Sequence, residues 1–360
     1  MNFESQIFTE NNETSINSPT YFIADIAANH DGDLRRAKDL IWLAKEAGAD
    51  AVKFQHFTAE KIVSDFGFKE LGNQVAHQAN WEKSVFDIYK QYECNLGWTE
   101  ELIDVSVKAE IEFLTTPYDF DVVRKLDAYL PAYKIGSGDI TWIDFVEYIA
   151  HRNKPVIIAT GASHIDDVRR AVDAVSKINK RLVLMQCNTN YTGSLENFKY
   201  INLRVLHTYA NEFPGIILGL SDHSPGHTTV LGAIALGARV IEKHFTDDVN
   251  RKGPDHLFSM DPKTWFEMID RAKELEYSLG DGFKRIEKNE KESVVVQRRS
   301  IRLNRDMKIG ELITKEDIDF LRPAPLHSCP PYMSSNVIGR RLNTSKSAGD
   351  IISLVDLEGS

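Results

Sequence analysis

Cysteine is scarce: Cys94, Cys187 and Cys329 are the only three in 360 residues, and none is spaced to pair closely with another. That excludes a disulfide framework and a zinc ribbon, and reduced thiols point to the cytoplasm. No apolar run approaches the ~20 residues needed to span a bilayer. The start Met1-Asn2-Phe3-Glu4-Ser5-Gln6 is polar and acidic, without the basic and apolar regions of a signal peptide. A soluble cytoplasmic protein with no membrane partner is expected. Basic residues are outnumbered, with a net charge of −10, so no basic face is evident to bind nucleic acid. Any anionic ligand must be met by a local cluster of cations. Neither a P-loop nor a Gly-x-Gly-x-x-Gly sequence opens a helix, which leaves nucleotide sites of those types unsupported. Repeats and low-complexity tracts are also missing. What is present, 42% hydrophobic and 27% charged residues, is the balance of a globular protein long enough for one large domain and a small one.

From residue 21 onward, short β-rich runs alternate with amphipathic helical stretches. The runs fall at 21–27, 51–55, 111–115, 132–136, 155–160, 182–187, 216–220 and 239–243, with helices such as 34–47, 100–109, 119–126, 165–177, 228–236 and 262–278 between them. Eight βα units in succession fit a closed parallel (β/α)8 TIM barrel. The stretch 56–97 is too long for one connection. It holds Phe66-Gly67-Phe68, Leu71-Gly72-Asn73 and a helical run near Trp81–Tyr92, and is expected to cover or shape a ligand site. The barrel is assigned to 1–282 and a charged linker to 283–297. A small domain over 298–360 has β-like pieces at 300–302, 312–314 and 351–354. With so modest a core, that domain should dock against a barrel, its own or a partner's.

In parallel barrels the active site is built from the carboxyl ends of the strands. Here every such end is polar. The first offers Asp25 and Asn29-His30-Asp31-Gly32, the second Lys53-Phe54-Gln55, the third Thr115-Thr116-Pro117-Tyr118, and the fourth Lys134-Ile135-Gly136-Ser137-Gly138-Asp139. Ala159-Thr160-Gly161 and Asn188-Thr189-Asn190-Tyr191 follow the fifth and sixth. The last two deliver Ser221-Asp222-His223 and Glu242-Lys243-His244 to one rim. Two neutral imidazoles there can hold a divalent metal with positions left for water or substrate; alternatively each is a satisfied, partly buried side chain. Lys53, Lys134 and Lys243, beside Thr115, Ser137 and Ser221, would hold a small phosphate or carboxylate, unless each is neutralised by a carboxylate such as Glu242 or Asp139.

These residues resemble the sialic acid synthases, which condense phosphoenolpyruvate with an N-acetylated hexosamine or related sugar to give a nonulosonic acid. The resemblance runs from Phe22 to about Leu354. It rests on Ala28-Asn29-His30-Asp31-Gly32, Val52-Lys53-Phe54-Gln55, Lys134-Ile135-Gly136-Ser137-Gly138, Gly219-Leu220-Ser221-Asp222-His223, Ile241-Glu242-Lys243-His244-Phe245 and Gly253-Pro254-Asp255-His256. It implies a barrel followed by an antifreeze-like (SAF, β-clip type) domain. His223 and His244 would be the metal ligands, for Mn2+ above all, with Mg2+ or Co2+ as alternatives. Lys53, Thr115, Lys134, Ser137 and Ser221 would contact phosphoenolpyruvate, and Gln55, Thr189, Tyr191 and Asp255 the sugar. Arg322 of the small domain would reach a neighbouring subunit's site in a domain-swapped homodimer. Asp25 and Asp139 would join the two lysines and two histidines as catalytic groups.

Departures from the family pattern concentrate on the sugar side. Asp25 and Asp139 replace glutamates, Ala159 a serine, Thr189 an asparagine and Thr192 a proline, and Ala324–Pro331 replaces a Gly-rich segment. An acceptor other than N-acetylmannosamine is therefore expected. The competing readings are a 3-deoxy-ulosonic acid phosphate synthase, which would need a second phosphate site, and an inactive carbohydrate-binding relative.

Overall fold

The computed structural model describes residues 3–4, 6–8, 13–15, 17–71, 78 and 81–359. Of the glycine-containing piece 71–73, residues 72 and 73 lie outside that set. The chain divides into two compact units, Met1–Gly280 and Asp281–Ser360.

The main sheet of the first unit has eight strands: β1 (Tyr21–Asp25), β2 (Ala51–His56), β3 (Glu112–Pro117), β4 (Tyr133–Ile135), β5 (Val156–Ala159), β6 (Leu182–Cys187), β7 (Ile217–Asp222) and β8 (Ala238–His244). Their ladder runs β3-β2-β1-β8-β7-β6-β5-β4, with every pair parallel. β3 and β4 lie alongside one another, which completes the ring of the TIM barrel. The first and last strands meet in register, His244 opposite Asp25. Helices cover the outside because their apolar residues recur on one face. In Leu34–Glu46, Ala37, Leu40, Ile41 and Ala44 are buried, and in Pro262–Leu279, Trp265, Met268, Ile269 and Ala272 repeat the same spacing. Asp33 caps the former by accepting from the Arg35 and Arg36 N–H groups. Asp261 caps the latter, with Pro262 pre-set for the first turn. A short hairpin pairs Gln6–Phe8 with Glu13–Ser15.

The long connection after β2 folds into helices Ala59–Ile62, Asp65–Glu70 and Val85–Gln91. Phe66-Gly67-Phe68 lies inside the second of these.

In the second unit, β9 (Ser300–Leu303) pairs antiparallel with β10 (Ile318–Leu321) around a core that includes Ile301, Leu303, Met307, Ile313, Val337, Leu342 and Ile352. The pieces expected at 312–314 and 351–354 form only single bridges, Leu312 with Arg341 and Ile351 with Arg302. Part of the charged stretch read as a linker is a helix, Lys291–Gln297, and the Ala324 N–H donates to its Val295 carbonyl at 2.8 Å. All three cysteines are free and buried. No helix among the described residues is long and apolar enough to cross a membrane.

Candidate active site

Successive side chains of a strand point to opposite faces, so only every second residue enters the barrel. Near its base these are apolar, among them Ile23, Ala51, Leu114, Ala132, Ile157, Met185, Ile217 and Val240. Two or four residues further along, the same parity brings in Asp25, Lys53, Thr116, Lys134, Ala159, Cys187, Ser221 and Glu242, which line a cavity of about 360 Å³ at the carboxyl ends of the strands. Gln55, Tyr118, Ser137, Asp139, Tyr191, His223 and His244 are among the other residues of its wall.

Two buried ammonium groups dominate the floor. Lys53 Nζ donates to Asp25 Oδ2 at 2.8 Å and to Thr116 Oγ1 at 3.1 Å, and Gln55 Nε2 donates to the same Asp25 oxygen at 3.0 Å. Burial works against the Lys53 charge, but Asp25, Glu242 and Asp255 outweigh it, and its pKa stands above the usual lysine value. Lys134 Nζ lies 3.2 Å from Glu242 Oε1, which also accepts from Ser221 Oγ at 3.1 Å. Ser137 Oγ accepts from the Gly161 N–H at 2.9 Å. This approach needs glycine: a Cβ at position 161 would stand 2.9 Å from that hydroxyl and 2.5 Å from Thr189 Cγ2. Ala27, at φ 45°, holds the backbone after β1 in the left-handed region, and its N–H donates to Asp25 Oδ1.

The two histidines face each other above this floor, with ring centroids 5.2 Å apart. His223 Nδ1–H donates to the Asn188 carbonyl at 3.0 Å, which fixes the tautomer and leaves Nε2 with its lone pair. Burial holds both imidazoles neutral: His223 below its ordinary pKa, and His244 well below, helped by His223 and Lys53. Seven buried side-chain atoms among the described residues have no hydrogen-bond partner. Three of them, His244 Nδ1, Asp139 Oδ2 and Glu242 Oε2, belong to this one cavity. Such atoms are costly unless a ligand satisfies them. No group of three or more His, Cys, Asp or Glu among the described residues could hold a metal. A divalent ion bound here would have His223 and His244 as its protein ligands and would take the remainder from water or substrate.

Burial alone pushes the Asp139 carboxyl up to about 6. The free carboxyl group titrates near ~3.9, so the folded state binds this proton more tightly. Its contribution therefore weakens the fold as pH rises from ~4 to ~6, fully so above that. Asp139→Asn should raise stability at about pH 7.5 by up to ~2 kcal/mol, remove that pH dependence in urea unfolding, and lower turnover. An unchanged unfolding profile would show that Asp139 is solvated.

Three sequence assignments, Thr115, Lys243 and Thr189, do not hold in the structure. Thr115 does not face the cavity: its hydroxyl donates to the Phe54 carbonyl at 3.0 Å and lies 2.8 Å from His56 Nδ1, outside the barrel. Thr116 faces inward instead. Lys243 is also outward, locked on Asp222 at 2.5 Å and on the Ser224 carbonyl at 2.6 Å. Its inward neighbour Glu242, named from sequence only as a carboxylate that could neutralise a lysine, does so for Lys134. Counting back two residues from His244 would have placed it. Thr189 stands behind Gly161 and lines no part of the cavity. Asp255 belongs to an adjoining chamber, with Oδ2 3.7 Å from His244 Nδ1 and accepting from the Ala28 N–H, its carboxyl pushed up to about 6 by burial. Arg322 is exposed, in the second unit.

The loops after β1 and β8 are joined at the rim. The Asp31 carboxylate accepts from Arg251 Nη2 at 2.9 Å and lies 3.0 Å from His256 Nε2 and 3.1 Å from Arg36 Nε; Arg36 in turn grips both Asp247 oxygens at 2.6 Å. This clasp holds the segment that presents Asp255.

A model of the NeuB family matches residues 40–284, and one of the SAF domain matches residues 298–358. The chain is 37% identical over 342 residues to the N,N'-diacetyllegionaminic acid synthase of Legionella pneumophila, covering 91% of this chain and 92% of that one. The enzyme of the same name from Campylobacter jejuni is 35% identical over 309 residues, covering 85% and 91%. Among solved structures, the N-acetylneuraminic acid synthetase of Leptospira borgpetersenii in complex with citrate matches with a TM-score of 0.70 at 28% identity, over 81% of this chain and 96% of that one.

Proposed function

Because the chain belongs to the NeuB family and carries a SAF domain, we propose that it condenses phosphoenolpyruvate with an open-chain N-acetylated amino sugar and water, giving a nonulosonic acid and phosphate. The single observation that supports this most is the convergence of Lys53 and Lys134, both buried, on the cavity that also holds the histidine pair. Buried ammonium groups beside hydroxyls suit a small ligand with carboxylate and phosphate.

The enol carbon bonds to the aldehyde carbon, water adds to the resulting oxocarbenium carbon, and the carbon–oxygen bond to phosphate then breaks. Lys53 and Lys134, with Ser137, Thr116 and Ser221, bind the anionic groups and orient the enol face. Asp139, titrating near 6, can release a proton to the forming alkoxide or take one from the attacking water. Asp25, shorter than the family's glutamate, is held by Lys53 and Gln55 and fixes both. His223 and His244 would hold the divalent ion, manganese matching mixed imidazole and water ligation best, and when bound it supplies Lewis-acid polarisation of the aldehyde oxygen. Arg322 of a second copy would complete the site in a domain-swapped homodimer, and three buried thiols suit the cytoplasm.

A condensation that adds three carbons leaves the substituents of the sugar untouched, and the two relatives are named for a product with two acetyl groups. The acceptor is accordingly a diacetamido hexose. Phosphate release from phosphoenolpyruvate should be fastest with such a sugar, to fall at least about tenfold after chelation, and to recover with manganese. A clear preference for N-acetylmannosamine would overturn the acceptor, and failure of every sugar the reaction.

A further inference from the structure

The ring of Phe258 is buried, at 3% exposure, yet it joins neither of the apolar cores that the described residues of the first unit form, and it lines neither the anion cavity nor the chamber beside it. It packs on the site itself. Its centroid lies 4.9 Å from that of His244, 5.7 Å from that of His223 and 5.3 Å from that of Tyr191, with the two imidazole planes inclined to its own at 67° and 76°. One phenyl ring thus backs both imidazoles at once, in the edge-to-face arrangement that aromatic pairs favour.

His244 has little else to orient it. Its Nδ1 has no hydrogen-bond partner among the described residues, and the carboxylates of Asp255 and Asp25 stand 3.7 Å from Nδ1 and Nε2, beyond hydrogen-bond reach. The last torsion of a histidine side chain is broad and roughly two-fold, so surrounding contacts decide which nitrogen faces the cavity. For His223 the Asn188 carbonyl does this. For His244 it falls to ring packing, in which Phe258 at 4.9 Å is nearer than His223 at 5.2 Å or Tyr191 at 6.4 Å.

The turn His256–Phe258 is fastened on both sides. Before Phe258, His256 Nε2 lies 3.0 Å from the Asp31 carboxylate; after it, Ser259 Oγ accepts from Asn29 Nδ2 at 2.8 Å, and the Met260 N–H donates to the His244 carbonyl at 2.9 Å. The loop after β6 closes against the same turn. Gly193, at φ 62°, comes so near that a Cβ there would stand 3.3 Å from the Leu257 carbonyl oxygen and 3.6 Å from Phe258 Cβ.

We propose that Phe258 is a positioning residue, which holds the two imidazoles in the mutual orientation that binds a divalent ion. The inference rests on the metal role given to His223 and His244 above, and adds what sets their geometry from behind. Removing a group that orients metal ligands typically weakens binding about 10–100-fold.

Manganese(II) titrated into the metal-free, full-length protein, and followed through the electron paramagnetic resonance signal of the free ion, tests this. Phe258→Leu should raise the manganese Kd at least about tenfold. Phe145, fully buried on Phe120 and Trp142 in the covering helix Ile143–Ala150, supplies the control: Phe145→Leu should lower the melting temperature but leave the manganese Kd within about twofold. Should Phe258→Leu not fold, Phe258→Met, which fills similar space without a ring, takes its place. An unchanged Kd in the Phe258 variant, or equal weakening in the Phe258 and Phe145 variants, would overturn the assignment. If manganese binding by the wild type were indifferent to His244→Ala, the metal role would fail instead. The ring nitrogen resonances of His244 in the metal-free protein would then decide the positioning role: one fixed tautomer that gives way to exchange in Phe258→Leu supports it, and identical spectra overturn it.

Discussion

Lys134→Ala should lower turnover by at least about 10³-fold, or ~4 kcal/mol of transition-state stabilisation, because it removes one of two cations facing the reacting anion in a water-poor cavity. The lysine is buried, and Glu242 at 3.2 Å is its partner. Truncation therefore also leaves that carboxylate with only the Ser221 hydroxyl. Some loss of stability follows, so the assay must accompany a melting curve and a manganese titration. Unless His223 and His244 are disturbed, metal binding should persist. A folded, metal-binding variant that kept wild-type turnover would remove the anion site.

Lys243→Met should do the opposite. Its ammonium is fully buried outside the barrel, where it meets Asp222, whose carboxylate also accepts from Ser224 and Thr229 hydroxyls at 2.9 and 2.7 Å. Breaking a buried pair from one side costs about 3–5 kcal/mol, a fall of roughly 10 °C in melting temperature for a unit of this size. Desolvation opposes the Asp222 charge, but Lys243 and the hydroxyls hold its pKa below the usual aspartate range. The stabilisation is therefore fully present above ~3.9 and is lost as pH falls through the lower folded value. Chemical unfolding of wild type and variant at neutral and acid pH measures both effects. An unchanged midpoint together with weakened phosphoenolpyruvate binding would return Lys243 to the site.

These two lysines mark where the sequence stops being informative. The order of strands and the rim position of His223 and His244 were legible, because β-rich runs and amphipathic helices alternate regularly and the strand ends are polar. Which side of a strand faces inward was not. In a parallel barrel both faces are buried, so the strands read as continuous apolar runs without the alternation that would set parity. Every residue of β3 and β7 is buried, and nothing in Thr115-Thr116 distinguishes the outward hydroxyl from the inward one. For β8, a ligand role for His244 would have fixed the parity and exposed Glu242. The chamber adjoining the cavity was out of reach for another reason: four of the six aromatic rings that line it, Phe57, Trp81, Tyr89 and Tyr92, come from a connection with no period to read, and they converge only once it has folded back over the rim.

The clasp centred on Asp31 bears on how the molecule is made. Asp31 and His256 are 225 residues apart, and the clasp joins the loop after the first strand to the loop after the last. Asp25 and His244 meet across the same seam. During synthesis at ~5–20 residues per second, the N-terminal strand must wait on the order of tens of seconds for its partner to emerge. Contacts of such sequence separation close late and slowly. Until they do, β1 with Asp25 remains an open sheet edge, so nascent chains depend on protection from edge-to-edge association. Catalytic competence arrives only with the closing of the ring.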